Sequence, residues 1–171
     1  MTTSHRVMNV HGVISTDDII PARYKHMYTK PEELAPHVFE HRFPGMAGEF
    51  RQGDTLVSDS ITGIGSSREQ AVSALLGCGV TVVIAPKFGR IFYRNCWNLG
   101  LPALEMDTRE LGAAEKLEVS LEAGVVSTGS IELAFTPVPQ LMVDMVRAGG
   151  MLSFVLAGGG PVSAANKGMR A

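Results

Sequence analysis

From Gly53 onward the apolar and polar positions fall into blocks that alternate between two periods. Residues 54–59 alternate as a strand does, and residues 68–78 place Ala71, Ala74, Leu75 and Cys78 on one helical face, with Gly77 and Gly79 ending the helix. Residues 80–85 are a continuous β-branched run, the pattern of a strand buried on both faces, and residues 88–99 form a second amphipathic helix closed by Gly100. Strand, helix, strand, helix predicts a parallel βαβ unit. Its right-handed crossover brings the turn after the first strand to the carboxyl edge of the sheet, where open α/β folds bind ligands.

On the N-terminal side, residues 6–14 read as a first strand, and residues 16–21 as an acidic turn that Pro21 keeps out of a ladder. Residues 30–41 can be helical. Pro31 suits the first turn, Glu32 and Glu33 lie near the positive end of the dipole, and Leu34, Val38 and His41 share a face, although Pro36 fits the pattern badly. Beyond Pro102 the texture shifts to shorter strands at 116–121, 125–128 and 131–135, with a turn at 122–124, and this half reads as antiparallel. A last helix is expected at 139–148, a last strand at 151–156 and a flexible tail at 158–171. The organisation expected is therefore one α/β domain over residues 1–157, a parallel βαβ unit joined to antiparallel strands.

A chain of 171 residues suits one domain with a real core. Its 45% apolar and 19% charged residues, with a net charge of −2, show no basic excess to draw nucleic acid or an anionic membrane, and neither is expected as a partner. The first six residues lack the apolar core of a secretion signal, and no apolar run approaches the roughly 18 residues that span a bilayer, so a cytoplasmic location is expected. Cys78 and Cys96 make no metal motif, and the five histidines show no HExxH spacing. No metal is assigned to this chain, and both cysteines read as small buried hydrophobes. A GxxxxGK[ST] loop, the third glycine of a dinucleotide fingerprint and a GxSxG elbow are all missing.

The stretch from Gly65 to Ala71 sets the hydroxyls of Ser66 and Ser67 and the guanidinium of Arg68 where a glycine turn enters a helix. Gly63 and Gly65 allow a tight bend and close approach to a ligand, free N–H groups at the dipole's positive end favour an anion, and Arg68 offers a two-pronged carboxylate clamp. A capping box reads equally from the same residues, Ser66 with Glu69 or Ser67 with Gln70. Asp17 and Asp18 can hold a cation of a site or accept a proton, or can simply cap a turn. Arg23, near Tyr24, reads either as a substrate-binding cation or as a merely solvated one. Arg90, Arg94, Asn95 and Asn98 form a polar helix face opposite Ile91, Phe92 and Leu99, ready to meet water, a carboxylate or another chain.

Taken together, these blocks resemble the small subunit of 3-isopropylmalate dehydratase and its relatives in the aconitase superfamily. Residues 16–24 (TDDIIPARY), 65–71 (GSSREQA), 91–95 (IFYRN) and 98–102 (NLGLP) occur in that family's order and spacing. The resemblance implies the superfamily's swivelling β/β/α domain, covering a 4Fe-4S cluster carried by a separate large subunit, and a chain inactive by itself. It implies a hydro-lyase that interconverts 2- and 3-isopropylmalate in leucine biosynthesis. The Ser66 alkoxide is then the base, Ser67 and Arg68 bind a substrate carboxylate, and Asp17 tunes protonation. Where relatives carry an Asn-Phe-Gly-Cys-Gly type stretch, this chain reads Ile61-Thr62-Gly63-Ile64-Gly65. Near Arg23, the segment after Tyr24 reads Lys25-His26-Met27 where relatives select substrate. Lys25 or His26 suits an additional carboxylate, as on homoaconitate, and Met27 an alkyl branch; citraconate and dimethylmaleate also stay open. The rival readings are a small-acid binding module without catalysis, and a structural role for the polar helix face.

Overall fold

The computed structural model describes residues 3–66, 68–129 and 131–159, and the side chains of Thr3 and Lys25 fall outside that description. Ser67 and most of the expected tail therefore lie outside the described residues.

The chain opens with β1 (Thr3–Val10), then, past a turn at Gly12, the two-residue β2 (Ile14–Ser15) and the single-turn helix α1 (Thr16–Ile19). The expected strand over 6–14 is thus split, because Gly12 takes a left-handed φ of 76°. After a 3-10 turn at Ala22–His26 comes α2 (Pro31–Leu34), which passes at once into a 3-10 turn at Ala35–His37. The helix expected over 30–41 stops early. Pro36 cannot donate to an α-helical ladder, and Phe39 then adopts a left-handed φ of 58°.

The βαβ region runs β3 (Asp54–Ser58), β4 (Thr62–Ile64), α3 (Glu69–Gly77), β5 (Val80–Ala85), α4 (Arg90–Leu99) and β6 (Ala103–Glu105). The remainder is β7 (Lys116–Ser120), β8 (Val125–Thr128), β9 (Ile131–Ala134), α5 (Gln140–Arg147) and α6 (Met151–Leu156). The last element is a helix, not the expected strand. A short apolar run carries no decisive period, and Leu152, Val155 and Leu156 are largely exposed, so no sheet holds it extended.

Seven strands form one mixed sheet in the order β6-β5-β3-β1-β7-β8-β9. The pairs β1/β3, β3/β5 and β5/β6 are parallel, while β1/β7, β7/β8 and β8/β9 are antiparallel. Alternation across the pleat divides the core in two. Met8, Val10, Leu56, Val83 and Ala85 pack with Ile19, Leu34, Leu75 and Phe92 of the helices, whereas Val57, Val82 and Ile84 pack with Leu117, Val119, Val126 and Phe135. Burial of both faces is why β5 reads as a continuous β-branched run, whereas β7, buried on one face and exposed on the other, reads as an alternating one.

Outside this sheet, β2 and β4 form a separate two-stranded parallel sheet. It holds together the segments that leave the carboxyl ends of β1 and β3, which are neighbours in the main sheet. No helix among the described residues is long and apolar enough to cross a membrane.

Candidate active site

Two segments, 14–20 and 62–68, build the site, and each is shaped by local rules. Ser15 caps α1: the Asp18 N–H donates to Ser15 Oγ at 3.1 Å, and the Ser15 N–H donates to Asp18 Oδ2 at 2.7 Å. This reciprocal box consumes Asp18. Asp17, one residue earlier and so on a different side of the helical turn, remains 55% exposed and accepts a hydrogen bond from Arg68. Of the paired aspartates, one caps and one meets the cation.

The second segment is held from below. Gly63 has a φ of 78°, and a Cβ placed there would lie 2.2 Å from Phe92 Cγ. At Gly89 a Cβ would lie 2.2 Å from the Gly63 carbonyl oxygen, and the Gly89 N–H donates to the Thr62 carbonyl at 2.9 Å. Bare backbone lets β4 settle directly onto the start of α4. Gly65, with a φ of 97°, then turns the chain up, and the buried Thr16 hydroxyl donates to the Ser66 carbonyl at 3.0 Å, joining the two segments a second time.

Arg68, and not either serine, occupies the N-cap of α3. Its backbone is extended and its own side chain makes no cap hydrogen bond, so the capping box read from Ser66 and Glu69 does not form, and the one read from Ser67 and Gln70 lies outside the described residues. With φ at −112° and ψ at 105°, Arg68 sends its side chain away from the helix. One terminal nitrogen donates to Asp17 Oδ1 and, at 3.3 Å, to the Ile20 carbonyl. The side chain is only 12% exposed, yet Nε and the second terminal nitrogen bond to no described residue. Ser66 is exposed and its hydroxyl likewise has no partner among the described residues. A fixed guanidinium two residues along the loop from an exposed hydroxyl is the set of groups that can bind a carboxylate and handle a proton next to it.

The other expected site residues are placed differently. Arg23 leans over the Tyr24 ring and pairs with Glu40, so its charge is already matched. His26 is exposed on the same 3-10 turn. Ser67 and the side chain of Lys25 are outside the described residues. On α4, Arg90 and Arg94 face solvent, but Ile91 is 48% exposed, against expectation, and Trp97 takes the buried position. Thr16 and Glu40 escaped the reading of the chain: a threonine carries no distinctive pattern, and Glu40 lies 17 residues from its partner Arg23.

The cysteines do not fit a cluster. Cys96 is wholly buried in α4, and Cys78 donates to the Ala35 carbonyl; burial pushes the Cys78 thiol up to about 12 and that of Cys96 higher still. Neither is poised to become the thiolate that iron requires. Among the described residues, no group of three or more His, Cys, Asp or Glu side chains stands where it could hold a metal ion.

Comparison with known proteins finds relatives along most of the chain. Residues 11–109, which span both site segments, match the family model described as the Aconitase C-terminal domain. The 3-isopropylmalate dehydratase small subunit 2 of Archaeoglobus fulgidus is 45% identical over 144 residues, covering 83% of this chain and 87% of that protein. The isopropylmalate/citramalate isomerase small subunit of Methanocaldococcus jannaschii is 39% identical over 155 residues, covering 88% and 91%. A crystal structure of 3-isopropylmalate dehydratase from M. jannaschii superposes with a TM-score of 0.86 at 30% identity, covering 98% of this chain and 99% of that one. The chain belongs to the aconitase C-terminal domain family, among the small subunits of 3-isopropylmalate dehydratase.

Proposed function

We propose that this chain is the small subunit of a heteromeric hydro-lyase that interconverts 2- and 3-isopropylmalate by removing and re-adding water, a reaction of leucine biosynthesis. The observation that carries the reading is Arg68, fixed by Asp17 and the Ile20 carbonyl, on the same loop as Ser66, whose exposed hydroxyl has no partner among the described residues.

Removing a proton beside a carboxylate places further negative charge on a group that is already anionic, so the site must supply both a base and a cation. Ser66 takes the proton, and Arg68 binds the carboxylate on which charge accumulates, through the nitrogens that Asp17 leaves open. Ser67 adds a hydroxyl to the same carboxylate. A serine hydroxyl is a weak acid, and its deprotonated form depends on the nearby guanidinium and on backbone N–H groups where the loop enters α3. Asp17 orients Arg68 and moderates its charge. Departure of the hydroxyl calls for a Lewis acid, which we assign to a 4Fe-4S cluster in the large subunit because this chain's cysteines do not fit one.

The experiment is an anaerobic assay of this chain with a cluster-bearing large subunit, following the ultraviolet absorbance of the unsaturated acid formed from 3-isopropylmalate, homocitrate and citramalate. Turnover of 3-isopropylmalate that needs both chains is the expected result. Inactivity in a demonstrated complex with an intact cluster overturns it. Citramalate is the favoured second substrate, since the M. jannaschii relative is named for both acids.

A further inference from the structure

Phe39 is the one described non-glycine residue with a left-handed backbone, φ 58°, and it is fully buried. A bulky side chain in that region is strained and persists where surrounding contacts hold it. What the left-handed turn achieves is visible on both sides of it. The Phe39 N–H donates to the Ile19 carbonyl at 3.0 Å, immediately before the Ile20 carbonyl that receives Arg68. The next side chain, Glu40, faces the 3-10 turn at Ala22–His26. There it accepts hydrogen bonds from Arg23 and, at 2.9 Å, from the Tyr24 hydroxyl. His37 Nδ1 lies 3.2 Å and His41 Nε2 3.3 Å from the same carboxylate. Tyr24 itself stacks on His37, with ring centroids 3.9 Å apart.

Segment 19–24 is thus clamped at both ends by two consecutive residues, while its middle touches the arginine of the site. Glu40 is 22% exposed, and its carboxyl is held below the usual carboxylate range. Burial opposes the charge, but hydrogen bonds from Tyr24 and His37 and the charge of Arg23 outweigh it. Glu40 is therefore a carboxylate at neutral pH. Beyond the clamp, His26 and Met27 are exposed to solvent, at the end of the turn that begins two residues after the Ile20 carbonyl bonded by Arg68.

We propose that Glu40 is a positioning residue for substrate selection: delivered by the left-handed Phe39, it fixes the 22–26 turn relative to Arg68, and so sets the distance between the bound carboxylate and the residues that meet the rest of the acid. The inference rests on the hydro-lyase reading above. Glu40 touches no reacting atom; it acts through the turn.

The test uses the reconstituted two-subunit enzyme with 3-isopropylmalate and citramalate as paired substrates. Glu40→Gln is expected to raise KM for 3-isopropylmalate about tenfold while kcat stays within about twofold, and to change the kcat/KM ratio between the two acids about fivefold. Glu40→Asp, which keeps the charge, is expected to recover part of that ratio. Tyr24→Phe removes one hydroxyl from the clamp and keeps the stacked ring, so it reports even where Glu40→Gln folds poorly; a shift of the same sign and smaller size is expected. An unchanged ratio in both Glu40→Gln and Tyr24→Phe, with wild type active, overturns this inference and leaves the hydro-lyase reading standing. An inactive wild-type complex with an intact cluster overturns both.

Discussion

Arg68 and Asp17 stand 51 residues apart and meet through a single guanidinium nitrogen, which also reaches the Ile20 carbonyl. Nε and the second terminal nitrogen of the fork have no partner among the described residues while its orientation is set. The site is thereby assembled before any ligand arrives, which lowers the ordering cost of binding.

Arg68→Lys keeps a positive charge but loses the planar fork. Steady-state kinetics of the reconstituted enzyme are expected to show kcat/KM lower by about 100-fold, because one ammonium cannot serve Asp17, Ile20 and a substrate carboxylate together. A change under twofold removes Arg68 from the site.

Ser66→Ala is expected to cut turnover by about 1,000-fold or more and to leave the melting temperature unchanged. Ser66 does not cap α3, so the stability loss of about 1 kcal/mol that follows deletion of a helix cap is not expected. Full activity in the complex excludes Ser66 as the base.

The adjacent aspartates are expected to separate cleanly. Asp18→Ala breaks the box with Ser15 and should cost about 1 kcal/mol in a thermal or urea melt. Asp17→Ala should leave the melt within about 0.5 kcal/mol and lower kcat/KM, since its carboxylate is exposed and, among the described residues, meets only Arg68. Equal effects of the two substitutions on stability count against this division of labour.

Gly63→Ala meets both a left-handed backbone and the Phe92 ring. A loss of about 3 kcal/mol in urea unfolding is expected, far more than an exposed turn glycine would give.

The melting temperature is expected to fall in acid through Asp54. This carboxyl is buried and its pKa is lowered: burial opposes ionisation, but hydrogen bonds from Arg6 and from the Arg51 N–H, with the charge of Arg6, prevail. A depressed folded pKa contributes stability fully above the unfolded value, about 3.9, and that contribution drains away as pH falls through the folded value. Asp54→Asn should be less stable than wild type at pH 7 and should lose less between pH 5 and pH 2. Parallel curves for the two proteins refute the assignment.

Sequence pattern reached the middle of this fold well, because β5, α3 and α4 are long, periodic and punctuated by glycines. It misread residues 151–156, where six apolar-rich residues have no period long enough to separate strand from helix. It also carried the helix after Lys30 too far, since the pattern of Leu34, Val38 and His41 persists in spacing although Pro36 and Phe39 end the helix physically. At the site, the chain displayed Ser66, Arg68 and Asp17 as residue types. What it could not display was which aspartate the Ser15 cap would consume, or that Arg23 would be neutralised by Glu40. Those outcomes depend on contacts between distant segments, and local propensity carries no record of them.

The small sheet of β2 and β4 makes the two site segments one heritable unit. Ile14 pairs with Thr62 and Ser15 with Ile64, across an irregular register. A chimera that imports residues 14–20 from a relative while keeping its own 62–68 inherits two half-ladders fitted to different partners, and Asp17 and Arg68 miss one another. Moving both segments together is then expected to keep Asp17 opposite Arg68.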